Sequence, residues 1–472
     1  MQIIKNYLYN AGYQIFILLI PLITTPYLAR TIGPTGVGIN AVTNSNIQYF
    51  ILFGSIGISL YGNRQIAFVR ENKDQLSKTF YEIFFLRLIT ITFAYLAFIL
   101  FLAVNTKFKM YYFAQSFAII AAAFDISWFF MGVENFRVTV LRNTLVKIIT
   151  LVAIFTFVKS YNDLFTYILI LSLSLLFGNL ILFPGLRQYV SLPKFRQLNL
   201  KKHIKPSLVL FIPQIATQIY LVVNKTMLGQ LAPIQQAGFF DQSDKIIKMV
   251  LAIVTASGTV MLPHVANAFI KGEHQKTKSF LYTSFQFSGL VSIPLMFGVA
   301  AVSRTFVPLF FGNNFLDVIP LMSVESIVIL MIAWSNVIGV QYLLPTKQNS
   351  KYTKSVVIGA IINIIANVPL IIWIGALGAT TATVISEVFV TIYQIWSIRN
   401  QIEYRYLFKN FSSFLIAGIT MFIIVYYLNG IFTANWIMLA LEVLIGIISY
   451  LLMLIVLKVK VIDIFNAFKN AD

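Results

Sequence analysis

The chain has 472 residues, of which 58% are hydrophobic and only 11% charged, whereas a soluble domain carries roughly 25% charged residues. That composition, with a mean hydropathy of +0.83, argues against a water-soluble fold. A net charge of +19 raises nucleic acid as a partner, but the basic residues sit in short clusters between apolar runs rather than on one polar face, and the absence of cysteine argues against disulfides and thiolate metal sites.

A spanning helix needs about 20 mostly apolar residues, and by that rule about fourteen spans follow one another along the chain. The first, near Leu19, runs past signal-peptide length with no small-residue cleavage site and is expected to be retained. The others centre near Phe50, Ala94, Ile120, Leu151, Leu173, Ile219, Ile253, Val291, Ile329, Ile362, Val384, Ile419 and Ile445. The expected fold is therefore an all-α integral membrane protein. Pro21, Pro26, Pro213, Pro294 and Pro369 fall inside spans and are candidate kinks. No P-loop pattern is present, so drive by ATP is not expected, and neither is any cofactor.

Lys and Arg next to a span are retained on the cytoplasmic side. With both termini inside, about 25 of the 35 basic residues lie on that side, from Lys5, Arg70, Lys73 and Lys78 through Arg137 and Arg142 to Lys194, Lys276, Lys409 and Lys469. Arg30, Lys107, Lys109, Lys159 and Arg304 fall near outer ends. The expected location is the bacterial cytoplasmic membrane.

The longest inner connection, RQYVSLPKFRQLNLKKHIKPS at 187–207, reads as a basic linker lying on the membrane surface. It divides a six-helix block at 1–186 from a second at 208–400, with two further helices and a tail at 401–472. The blocks also resemble each other: QLSKTF at 75–80 matches QKTKSF at 275–280, Pro34 and Gly38 match Pro233 and Gly238, and MGVENF at 131–136 matches IGVQYL at 338–343. Two parallel repeats of even span number form two pseudo-symmetric six-helix bundles around a central cleft, an arrangement suited to alternating access.

Charges inside spans cost about 2.5 to 3.5 kcal/mol on insertion scales, so each needs a cavity, a partner or a function. Lys225, Lys245 and Lys248, with Arg30, Arg64 and Arg87, are candidates for a cationic cleft that holds a diphosphate, and Asn44, Gln48, Asn224 and Asp244 for its polar wall. The alternative is snorkelling for the arginines and a structural pair of Asp244 with Lys248. Asp125, Glu325 and Glu387 are candidates for ion coupling or for neutralising the lysines, and Glu442 reads as structural. Lys147 also lies in a span.

The stretch TPYLARTIGPTGVGIN at 25–40, followed by SLYGNRQIA at 59–67, resembles the opening of Wzx-type polysaccharide flippases of the multidrug/oligosaccharidyl-lipid/polysaccharide exporter superfamily. The resemblance continues through DISWFFMGVENF at 125–136, NKTMLGQLAP at 224–233, GTVMLP at 258–263 and FVPLFFG at 306–312. One departure is Asn224, where family members often carry an acid before the lysine. The resemblance implies two six-helix bundles plus two added helices, and a lipid-linked oligosaccharide on undecaprenyl diphosphate moved to the outer leaflet, with no covalent chemistry. Membrane lipids, and a polysaccharide polymerase with other assembly proteins, are the implied partners. Rival readings are a cation-coupled drug exporter, which favours an anionic cleft, a peptidoglycan-precursor flippase, and a membrane polymerase or ligase, which calls for a sizeable outer loop rich in titratable groups.

Overall fold

The computed structural model describes residues 2–105, 107–193, 195–431 and 434–464, without the side chains of 2–19, 136–137, 212–214, 216–217, 219–221 and 256–260. Lys5, Arg137, Lys194, Pro213 and Lys469 therefore lie outside the described residues or side chains. Among the described residues there is no strand, and the long helices resolve into fourteen segments. Each predicted span centre falls in its own segment. This is a multi-pass, all-α membrane protein, and the physical reason is that a helix satisfies every backbone donor internally where no water is present.

The chain divides into two compact units, Met1–Gly229 and Gln230–Asp472. The first holds α1 (Gln2–Ser55), α2 (Ile58–Val69), α3 (Lys73–Val104), α4 (Lys109–Ala123), α5 (Ser127–Gly132), α6 (Phe136–Phe157), α7 (Leu164–Leu180), α8 (Phe183–Leu186) and most of α9 (Lys201–Leu231). Inside α1, Gly33 adopts φ 65°, and there the helix breaks into the first two spans. Pro21 and Pro26 instead lie within continuous helix. The Asn72 side chain starts α3 by accepting from the backbone N–H groups of Asp74 and Gln75 at 3.1 and 3.0 Å.

The core of this unit is aromatic. Phe80 stacks on Trp128 and on Phe84, each at 5.7 Å between ring centroids, and Gly62 lets α2 approach so closely that an added Cβ would stand 2.5 Å from the Trp128 ring. Farther along the same helices a charged clasp holds the 187–207 stretch. Glu82 of α3 is fully buried and accepts from Lys202 Nζ at 2.7 Å, His203 Nε2 at 2.9 Å and the Asn199 backbone N–H at 2.8 Å. Tyr61 donates to His203 Nδ1 at 2.7 Å. Both carboxylate oxygens are used, which is what a buried charge requires.

The second unit holds α10 (Ile234–Ile270), α11 (His274–Phe310), α12 (Val318–Glu325), α13 (Ile327–Ile338), α14 (Asn349–Ser397), α15 (Tyr404–Leu407), α16 (Phe411–Ile431) and α17 (Trp436–Val456). Its α14 breaks at Ile374–Gly375, where Gly375 has φ 59°, and again the break is not at the helix's proline, Pro369. A π-turn at Gly339–Leu343 follows α13. The repeated motifs keep their places: QLSKTF and QKTKSF open α3 and α11, and Pro34 and Pro233 each sit in the turn before a long helix. On α3 and α17, Phe93, Leu100, Ile437 and Ile455 are exposed, as apolar side chains facing acyl chains must be.

Candidate functional site

Within the first unit, α1, α4, α6 and α7 enclose a cavity of about 340 Å³, in the range of roughly 300 to 1,000 Å³ typical of small-molecule sites. Its wall on α6 is a stripe of Arg142, Asn143, Lys147 and Thr150, positions that helical spacing puts on one side of the helix. Asn40 and Asn44 of α1, Gln115 of α4 and the hydroxyls of Thr24, Tyr167, Ser172 and Ser174 complete the polar lining. Gln115 Nε2 donates to Asn40 Oδ1 at 3.2 Å, which fixes both amides. Arg142 Nη1 donates to Asn179 Oδ1 at 3.1 Å, and Asn179 Nδ2 donates to the Ala121 carbonyl at 2.7 Å, so the guanidinium is held from behind. Lys147 is half-buried and makes no ion pair among the described residues.

No lining residue is a carboxylate. Two cations with amides and hydroxyls in a low-dielectric wall form a site for an anion that also offers hydroxyls, because the guanidinium gives directed bonds and the ammonium a point charge. The charge rule counts Arg142 with the inner connections and assigns Lys147 no role. The signal that finds them is the polar stripe itself, two turns of α6 that interrupt an otherwise apolar span.

Of the residues named from the sequence, Asn44 lines this cavity, and Gln48 Nε2 reaches Asn44 Oδ1 at 3.5 Å. Arg30 is exposed, a turn before the Gly33 break. Arg64 is exposed with its guanidinium carbon 5.4 Å from the Phe68 ring centroid. Arg87 does not snorkel: it is 3% exposed, donates Nε–H to the Ala122 carbonyl at 2.6 Å and Nη1–H to Ser59 Oγ at 3.1 Å, and pairs with Asp125 at 3.3 Å. Asp125 is further fixed by the Ser127 backbone N–H at 3.0 Å. On α9, Asn224 is buried and Lys225 half-buried, and the next residue, Thr226, donates to Asn46 Oδ1 at 3.0 Å.

In the second unit, Lys248 pairs with Asp244 at 2.8 Å, the structural alternative above. Lys245 pairs with Asp241 at 2.5 Å, a partner that sequence reading missed. Both are i,i+4 pairs, about three turns inside α10 rather than at its start. Glu325 is 2% exposed and accepts from Ser243, and Glu387 is buried on α14. Arg87, Lys245 and Lys248 thus each pair with a carboxylate, whereas Lys147 faces the cavity without an ion pair among the described residues.

A family model described as polysaccharide biosynthesis protein matches residues 3–269, more than half of the chain. The chain belongs to this family. It is 22% identical over 405 residues to a putative O-antigen transporter of Escherichia coli (strain K12), covering 84% of this chain and 96% of that one. It is 20% identical over 219 residues to a probable low-salt glycan biosynthesis flippase, Agl15, of Haloferax volcanii, covering 44% and 45% of the two chains. Among solved structures, its fold is similar to the inward closed conformation of the lipid II flippase MurJ, with a TM-score of 0.77, 16% identity and coverage of 95% of this chain and 98% of that one. An inward-facing multidrug resistance MATE family transporter gives a TM-score of 0.62 at 11% identity, with 78% and 93% covered. The Wzx-type resemblance read from the motifs is thus met by family, relatives and fold together.

Proposed function

We propose that this protein is a flippase that carries an undecaprenyl-diphosphate-linked oligosaccharide from the inner to the outer leaflet of the bacterial cytoplasmic membrane by alternating access, with both termini cytoplasmic. The observation that carries the reading is the cavity in the first unit, where Arg142 and Lys147 stand among amides and hydroxyls with no lining carboxylate. The cations would shield a phosphorylated headgroup, the amides would take sugar hydroxyls, and the lipid tail would stay in the bilayer. No covalent bond changes. The product would pass to a polysaccharide polymerase for capsule, exopolysaccharide or O-antigen assembly. Lys225 on α9 and Lys245 and Lys248 on α10 would be further cationic contacts, the last two each offset by a carboxylate of its own.

A drug exporter for cationic cargo would need acids where this cavity has Arg142 and Lys147, so the polarity of the wall favours an anionic headgroup. The test is complementation of a strain lacking the gene with an Arg142→Gln, Lys147→Gln double variant. Charge-assisted bonds contribute about 1.5 to 3 kcal/mol each, so transport should fall roughly tenfold or more, with lipid-linked oligosaccharide accumulating on the inner leaflet. Undiminished surface polymer with normal protein levels would remove the reading. Identification of the accumulated lipid separates a repeat-unit cargo from a peptidoglycan precursor.

A further inference from the structure

The second unit contains a different kind of cavity, of about 490 Å³, walled by Leu290, Val291 and Pro294 of α11, Val425 of α16 and Gly446 of α17. Its lining is apolar but for two side chains, Glu442 and Tyr450. Tyr450 spends its hydroxyl proton on the Leu290 carbonyl at 3.1 Å. Glu442 is only 3% exposed, and no described donor reaches its Oε2.

The hydrogen bonds around Glu442 suit a neutral carboxylic acid. Asn429 of α16 donates both amide hydrogens, to the Ala301 carbonyl at 3.0 Å and the Val425 carbonyl at 3.1 Å, so its Oδ1 is turned toward Thr305 of α11. The Thr305 hydroxyl donates to that Oδ1. A hydroxyl has one proton to give, yet Thr305 Oγ1 also lies 2.9 Å from Glu442 Oε1. With the Thr305 proton directed at Asn429, a hydrogen between these two oxygens has to come from the other side. The remaining source is the carboxyl, which as a neutral acid donates O–H to Thr305.

The surroundings agree. The charged group next to Thr305, Arg304, has its guanidinium carbon 4.5 Å from the Tyr426 ring centroid on α16 and makes no ion pair with Glu442. The cavity's contributions from α10 and from the segment after α17 are Ile253 and Val461, neither of which can titrate. A carboxylate there would bury a charge with one oxygen unsolvated, at a cost that ordinarily neutralises the group. The four side-chain oxygens of Thr305, Asn429 and Glu442 are also too few for a hard cation, which takes about six or more.

We propose that Glu442 is a proton-binding site of this transporter, with Thr305 and Asn429 as the acceptor chain that holds the acid neutral and the apolar cavity as the space through which water gains access to it. When water enters, the Oε1–H bond breaks, the proton passes to that water and the carboxylate remains. The site is separate from the acids that sequence alone nominated for ion coupling, and it does not depend on which lipid is carried.

Infrared spectra of the full chain in liposomes without cargo test it. At neutral pH the wild type should show the carbonyl stretch of a protonated carboxylic acid, that contribution should be lost in Glu442→Gln, and it should shift in Thr305→Val, which removes its acceptor. The amide introduced by Glu442→Gln keeps a donor for Thr305, and Glu442→Asp serves as a second variant, in which the band should move rather than vanish. Identical wild-type and Glu442→Gln spectra in the carboxylic-acid region would overturn the proposal. Loss of the wild-type band on adding sodium at constant pH would overturn it too, by making the site one for a metal cation.

Discussion

Arg87 shows how a full charge survives inside a span. Its guanidinium is buried, bonded to a carbonyl and a hydroxyl, and faces Asp125 across 38 positions of sequence. Removing one partner of such a pair leaves the other uncompensated, which costs about 3 to 5 kcal/mol, whereas replacing both by apolar residues is often neutral. Asp125→Ala should therefore lower the thermal unfolding midpoint of the purified protein sharply, and Arg87→Met with Asp125→Leu should recover most of the loss. Both residues were legible as intramembrane charges, because hydropathy marks them. Their pairing was not, since it depends on α3 and α4 lying side by side. Asp241 is legible by a simpler rule: it stands four residues before Lys245 on the same helix, the spacing that also joins Asp244 to Lys248.

The spans themselves were legible because hydropathy is a sum over about 20 residues and tolerates local errors. Breaks are set by single dihedrals, and no sum reports them. Gly33 and Gly375 carry the positive-φ conformations, with Pro34 behind the first, while Pro21, Pro26 and Pro369 lie in continuous helix. Gly33→Ala should cost about 1 to 3 kcal/mol from its backbone alone, since φ 65° with ψ −178° is a region essentially reserved for glycine, while no other atom lies within 4 Å of the added Cβ. Gly62→Ala should cost about 1 to 3 kcal/mol for the opposite reason, a methyl driven into the buried Trp128 ring. Both are measurable as lowered unfolding midpoints, and Trp128→Phe should partly rescue only the second. The cavity-lining stripe on α6 was in plain view as Arg142, Asn143, Lys147 and Thr150, but its depth could be judged only once α6 was known to begin at Phe136.

The chain has no cysteine, so its proposed orientation can be read with single introduced thiols and no background. Lys73→Cys and Lys276→Cys should resist a membrane-impermeant reagent added outside intact cells, and Lys159→Cys should react; the reverse pattern would invert the topology. The buried Glu82 clasp also bears on how the basic 187–207 stretch behaves. A surface loop ordinarily exchanges its amide hydrogens with solvent within seconds to minutes, yet the Asn199 N–H ends on a fully enclosed carboxylate and the Ser191 N–H on Ser77. Transferred to deuterated buffer, those two amides should keep their protium far longer than Leu192 between them, so that what looks like a slack tether in the sequence would register in a mass spectrometer as two protected points on a labile thread.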